Sequence, residues 1–154
     1  MNKKIKNATP FEYDGINFKS KTEVMAYKTF LEHGFEVAYE PATYVLWEGF
    51  KPTFPYYKPN KNKELKLDNT KIINITYTPD FIVSYKDIPA IIEMKGFQND
   101  TYPIKKKMFR KLLETFDIGF FFEIYTKKQL LQAIDIIKKY DTARENKKSD
   151  TVSS

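Results

Sequence analysis

Two short segments hold residue types that could act together: Thr78-Pro79-Asp80-Phe81 and Ile91-Ile92-Glu93-Met94-Lys95-Gly96, whose Glu93 lies thirteen residues beyond Asp80. Both read as strands, and Glu93 and Lys95, two positions apart, project to one face while Ile92 and Met94 project to the other. Burying a carboxylate and an ammonium costs several kcal/mol per ion before pairing is counted, so a functional role would explain their presence on a central strand. If strand pairing brings Asp80 beside Glu93, the two carboxylates and the Met94 backbone carbonyl form an all-oxygen donor set. Such a set suits a hard cation such as Mg²⁺, with waters completing the octahedron. Lys95 would then stand within reach of a water or a substrate phosphate. The structural alternatives are an Asp80 that ends a loop and accepts backbone N–H groups, and a Glu93–Lys95 ion pair on a strand face.

Composition narrows the partner and the metal. The chain has 154 residues, 42% hydrophobic and 30% charged, enough for one packed domain. Twenty-six Lys and Arg against twenty Asp and Glu give a net charge of +6, which favours an anionic partner. With no Cys and one His, a disulfide scaffold, an iron–sulfur cluster, a cysteine nucleophile and the usual zinc sites are excluded, so any metal should be held by oxygen. No apolar run reaches the roughly 18 to 20 residues of a membrane span, and residues 1–10 lack the apolar stretch of a signal peptide. A cytoplasmic protein with no membrane partner and no organic cofactor is expected.

The elements that must position these groups follow from periodicity. Ser20 and Glu23 have the spacing of a capping box, and His33 precedes Gly34, so a helix is predicted over 21–33 with Val24, Tyr27, Phe30 and Leu31 on its buried stripe. Glu23 is then either the capping partner of Ser20, a carboxylate of the site, or both, and His33 is a helix-end residue. Strands are expected over 35–39, 43–47, 72–77, 81–85 and 90–95, the later ones as a meander. A helix from Pro103 to about Phe116 would bury Ile104, Met108, Leu112 and Phe116. The apolar strand 119–125 would be central to the sheet, and a last helix over 127–140 would bury Leu130, Leu131, Ile134 and Ile137. The expected organisation is an N-terminal segment 1–17, partly flexible, one domain over 18–141 with a Lys- and Pro-rich insertion at about 51–71, and a polar, disordered tail over 142–154.

Asp80, Glu93 and Lys95, with Glu23 upstream and the element order αβββαβ, resemble the PD-(D/E)xK nuclease superfamily. The segments "GFEVAYEPATYVL", "YTPDF" and "IEMKG", followed by a Lys-rich helix, are similar to the phage endonuclease I family of Holliday-junction resolving enzymes. The likeness spans roughly 18–125; the insertion and the last helix depart from it. The resemblance implies an α/β (α+β) fold with a restriction-endonuclease-like core, a central mixed sheet flanked by helices, and an extra C-terminal helix. It implies a metal-dependent endonuclease with Asp80 and Glu93 as ligands of one or two Mg²⁺ ions, Mn²⁺ substituting. Glu23 would reach a second metal directly or through water, and Lys95 would orient or activate the attacking water. A homodimer acting on branched or junction DNA in phage recombination or replication follows, since junction resolution needs two coordinated cuts. A nuclease of linear duplex and a catalytically idle DNA-binding fold are the alternatives.

DNA contacts are expected from Lys105, Lys106, Lys107, Arg110 and Lys111, five cations in seven residues, unless they simply form a solvated helix face. Lys105, flanking the apolar stripe, is the one best placed to assist catalysis. The lysines of the insertion, with Tyr56 and Tyr57, form a basic stretch interleaved with aromatics.

Overall fold

The computed structural model describes residues 11–96, 101–116 and 119–152. Expectations for 1–10 and 153–154 lie outside the described residues. In chain order the elements are β1 (Glu12–Tyr13), β2 (Ile16–Asn17), α1 (Lys21–Glu32), β3 (Glu36–Tyr39), β4 (Tyr44–Trp47), β5 (Tyr57–Pro59), β6 (Leu65–Leu67), β7 (Ile75–Tyr77), β8 (Phe81–Tyr85), β9 (Ile88–Met94), α2 (Tyr102–Leu113), β10 (Phe120–Ile124) and α3 (Lys127–Val152). The class is α+β, and the chain divides into two compact units, one built on 1–42, 79–98 and 116–154, the other on 43–78 and 99–115.

The first unit holds a four-stranded mixed sheet in the order β10-β9-β8-β3, parallel between β10 and β9 and antiparallel elsewhere. Lys86 and Asp87 both adopt positive φ, 47° and 66°, and turn β8 tightly into β9. Helix α1 starts where expected: Ser20 Oγ accepts the Glu23 N–H at 3.1 Å. It ends in a Schellman arrangement, with Gly34 at φ 86°, the Phe35 N–H donating to the Phe30 carbonyl at 3.0 Å, and the two rings 5.2 Å apart. His33 is a helix-end residue, its Nδ1 2.8 Å from the Thr29 carbonyl oxygen. Helix α1 packs along β3 and α3 along β10, burying Phe18, Phe30, Phe81, Ile92, Ile124, Leu130 and Ile137 in one core.

Several expectations are corrected here. Strand β10 is an edge, not the centre, and its Phe120, Phe121 and Phe122 are half-buried. Leu31 and Leu131 are exposed, because Ala26 on α1 and Ala133 on α3 sit in the buried stripes instead. Helix α3 does not stop at Tyr140 but runs to Val152. Its continuation is anchored by the buried Asp141, which accepts from Arg144 at 2.7 Å and pairs with Lys86 Nζ at 3.3 Å, while Arg144 also donates to the Lys86 carbonyl. Residues 11–17 form the β1–β2 hairpin, where Asp14 Oδ2 accepts the Tyr27 hydroxyl at 2.7 Å.

In the second unit β7 pairs with β4 rather than joining β8 and β9 as a meander. Helix α2 lies against both strands, but rotated from expectation: Tyr102 and Phe109 are buried, whereas Ile104 and Phe116 are exposed. The Tyr77 and Tyr44 rings receive Phe109 at 4.7 and 5.1 Å, and aromatic packing outweighs what Ile104 would bury. The insertion is built on an antiparallel hairpin, β5 with β6, with every residue of the two strands exposed. Replacing Phe109 with Ala should therefore cost about 3–5 kcal/mol in denaturant unfolding, and Ile104→Ala less than about 0.5 kcal/mol; equal losses would contradict the rotated stripe.

Candidate active site

Pro79 restricts Thr78 to extended backbone and is itself fully buried, delivering Asp80 to the start of β8 in a defined pose. The Asp80 carbonyl accepts the Glu40 N–H at 2.8 Å, fixing its backbone to the end of β3. Its side chain is fixed from the other side, Oδ2 accepting the Met94 N–H at 2.7 Å. The antiparallel register pairs Phe81 with Ile92, so Asp80 falls beside the last turn of side chains on β9. There Glu93 and Lys95, each only 8% exposed, form an ion pair, Nζ to Oε2 3.1 Å. The Lys95 N–H donates to the Ile124 carbonyl at 2.8 Å, carrying the parallel pairing one residue past β9.

Burial raises the Asp80 carboxyl to about 7, with the Glu93 charge the next cause and Glu23 and Glu40 adding to it; the bond from Met94 opposes them. Asp80 thus sits among three other carboxylates at a point where its own ionisation is disfavoured. Perturbation of this kind, in a residue held by two strands, is what makes Asp80 a candidate for a functional role.

Glu23 is buried on the first turn of α1 and its role is mixed. Its N–H completes the Ser20 cap, but its carboxylate bypasses Ser20: Oε2 accepts the Lys19 N–H at 2.9 Å and the Tyr39 hydroxyl at 3.0 Å. Tyr39 was not singled out by sequence reasoning. Burial, then its bond to Glu23, pushes its phenol pKa up, so it stays a donor. Alternation along β3 places Tyr39 on the inward face with Val37, a signal present in "EVAY". Glu40 was missed too. Its positive φ of 45° is strained for a non-glycine residue, and the strain is held by the Asp80 carbonyl and by Lys19 Nζ, 2.7 Å from Glu40 Oε2. Glu123 pairs with Glu93 in the parallel ladder and so shares its face, a placement that only strand register reveals.

Among the described residues no three Asp, Glu or His side chains form a group ready to hold a metal ion. Glu23 therefore does not join Asp80 and Glu93 in one ligand cluster. The oxygen donors that remain, Asp80 and Glu93, still fit Mg²⁺, which is commonly bound through one or two carboxylates with waters and substrate phosphates. A cation would also relieve the repulsion that raises Asp80.

The five cations of α2 belong to the second unit. Lys105 and Lys106 are half-buried, Lys106 Nζ standing 5.7 Å over the Tyr102 ring, while Lys107, Arg110 and Lys111 are exposed. Among the described residues no helix is long and apolar enough to cross a membrane.

Residues 3–125 match the family described as "Protein of unknown function (DUF1064)", and the chain belongs to that family. No curated protein matches the chain.

A folded pKa above the ordinary 3.8 means that the native state holds the Asp80 proton more tightly than the unfolded chain does. The associated stability is complete below about pH 4 and is lost as pH rises through about 7. Asp80→Asn keeps an acceptor for Met94 and removes the ionisation, so in metal-free buffer at pH 8 it should be more stable than the native protein, by no more than about 4 kcal/mol. The difference should shrink steadily as pH falls and approach zero only below about pH 4 in thermal unfolding; a pH-independent difference would contradict the assignment.

Proposed function

We propose that this DUF1064 protein is a Mg²⁺-dependent endonuclease that hydrolyses phosphodiester bonds of branched DNA. The observation that carries the reading is the junction of Asp80, Glu93 and Lys95, with Oδ2 of Asp80 on the Met94 N–H at 2.7 Å and Lys95 on Glu93 at 3.1 Å. Its likeness to the PD-(D/E)xK nuclease pattern supports the same chemistry, and the net charge of +6 supports a polyanionic substrate.

Asp80 and Glu93 would hold the ion, which when bound neutralises charge on the phosphoryl oxygens and acidifies water. The protein's own groups do the rest. Lys95, kept dry and oriented by Glu93, presents an ammonium that can hold the attacking water or a non-bridging phosphate oxygen in line. Water oxygen bonds to phosphorus and gives up a proton to solvent, the bond to the 3′ oxygen breaks, and that oxygen takes a proton from solvent to leave as a hydroxyl, the 5′ phosphate remaining on the other strand end. Tyr39 and the Lys19 N–H pin the Glu23 carboxylate, which adds negative potential beside Asp80 and favours cation over anion at this point. Two coordinated cuts in a junction would call for a homodimer in solution.

One observation favours a second reading, a nuclease fold that binds DNA without cutting it: the lack of a three-residue ligand group among the described residues. A cleavage assay in Mg²⁺ and in Mn²⁺ on a four-way junction, a flap and a linear duplex separates the two. Under the first reading the branched substrates are cut, and Asp80→Ala, Glu93→Ala and Lys95→Ala each lower the rate by at least about 100-fold while DNA binding survives. Undiminished cutting by Glu93→Ala would sink it, and tight binding without nicking in either ion would establish the second reading.

A further inference from the structure

The β5–β6 arm carries features that packing does not explain. At its root Phe50 and Ile72 exchange backbone hydrogen bonds of 2.8 and 2.9 Å, and Gly49 lies so close to the Ile72–Asn74 backbone that any Cβ there would collide with the Ile72 carbonyl. Asn74 Oδ1 accepts the Gly49 N–H at 2.7 Å. The tip is tied as well: Asn60 Oδ1 accepts from the N–H groups of Asn62 and Glu64 at 2.9 and 3.0 Å, and Lys63 turns the chain at φ 64°. A rigid root and a closed tip make this a built element.

Its side chains are disposed for a ligand. Phe54 is 86% exposed, and Tyr56 and Tyr57 are each 57% exposed, so these rings contribute little to the core of their unit. Phe54 and Tyr56, with Phe50, Lys51, Lys71 and one acid, Asp68, line an open cleft of about 480 Å³. Over 47–73 the chain has six Lys against Glu48, Glu64 and Asp68. Asp68 is occupied inside the arm, by Lys58 Nζ at 3.1 Å and the Thr70 N–H at 2.9 Å. In the hairpin register Lys58 stands directly opposite Lys66, a like-charge pair that Asp68 offsets only on the Lys58 side and that an anion would relieve.

Exposed aromatic faces beside lysines, with no helix to enter a groove, are the arrangement that takes single-stranded nucleic acid, bases on the rings and phosphates on the ammonium groups. Duplex offers no free base faces to such rings. We infer that the β5–β6 arm and its cleft are a binding surface for unpaired DNA, stacking bases on Phe54 and Tyr56 and tracking phosphates with Lys51, Lys66 and Lys71. The choice of DNA over another polyanion rests on the nuclease reading, and unpaired nucleotides are what flaps expose.

The test is fluorescence anisotropy of the full chain in EDTA, where no cleavage is possible, with a labelled oligothymidine of about 16 nucleotides and a duplex of equal length. The native protein should bind the single strand more tightly. The double variant Phe54→Ala/Tyr56→Ala should lose about 10- to 100-fold, Tyr56→Phe should retain binding, and Lys66→Gln should reduce the slope of log affinity against log salt by about one. Unchanged affinity in the double variant, with an unchanged melting curve, would overturn the inference. So would equal binding of duplex, or sedimentation showing a dimer that Phe54→Ala dissociates, which would make the face a contact between copies. Because the assay needs no metal, single-strand binding can succeed where cleavage fails, and the reverse.

Discussion

The 2.7 Å bond from the Met94 N–H to Asp80 Oδ2 ties the first residue before β8 to the last residue of β9. Strands β8 and β9 are already joined by a tight turn at Lys86 and Asp87, so this bond closes the open end of the hairpin. Closing it fixes the register at the one place where a slip would matter. A shift of a single residue would exchange Glu93 and Lys95 for Ile92 and Met94 on the face that meets Asp80. The fully buried Phe81 and Ile92, which are register partners, resist such a slip from the core side. Hydrophobic packing and a polar clasp therefore specify the same alignment.

The clasp has an electrostatic consequence. A carboxylate that accepts one backbone N–H would ordinarily titrate low, yet burial and the Glu93 charge outweigh that bond and hold Asp80 at about 7. The surroundings compound the conflict: Glu23 is pinned by Tyr39 and Lys19, and Glu40 is held with strained backbone by the same Lys19. Lys95 pairs with Glu93 and so offsets only part of the negative charge. Lys19 on Glu40 and Lys95 on Glu93 supply counter-charge, and the burial and repulsion that remain are what hold the Asp80 carboxyl up.

What was legible in the sequence follows from the range of the interaction involved. The alternation of Ile92, Glu93, Met94 and Lys95 is local, and the strand that carries it was readable from its period of two. The start of α1 was readable from Ser20 and Glu23 for the same reason. Tyr39, Glu40 and Glu123 reach the neighbourhood of Asp80 and Glu93 only through the pairing of β3 with β8 and of β10 with β9, which depends on register between distant segments. Helix α2 starts near the expected position but ends at Leu113 rather than about Phe116, and its buried stripe differs from the expected one because Tyr44 and Tyr77, outside the helix, choose it. The polar end of α3 carries a composition that suggests disorder, whereas the helix continues to Val152 and is tied near its middle by the buried Asp141, bonded to Arg144 and to Lys86 on a distant turn.

The two compact units divide the chemistry by residue type. The raised carboxyl of Asp80, the carboxylates around it and the dry lysine lie in the unit built on 1–42, 79–98 and 116–154, whereas the exposed rings of the arm, the hairpin lysines and the α2 cations lie in the unit built on 43–78 and 99–115. The division has a physical logic. On the proposed reading, hydrolysis needs donors fixed to within fractions of an ångström, which a sheet clasped at both ends would supply. Binding of a single strand, as inferred for the arm, needs accessible faces and ammonium groups, which would be wasted in a packed core. A hairpin with a rigid root reconciles the requirements: Gly49 and the Phe50–Ile72 bridge fix where the arm leaves its unit, while every residue of β5 and β6 remains in water.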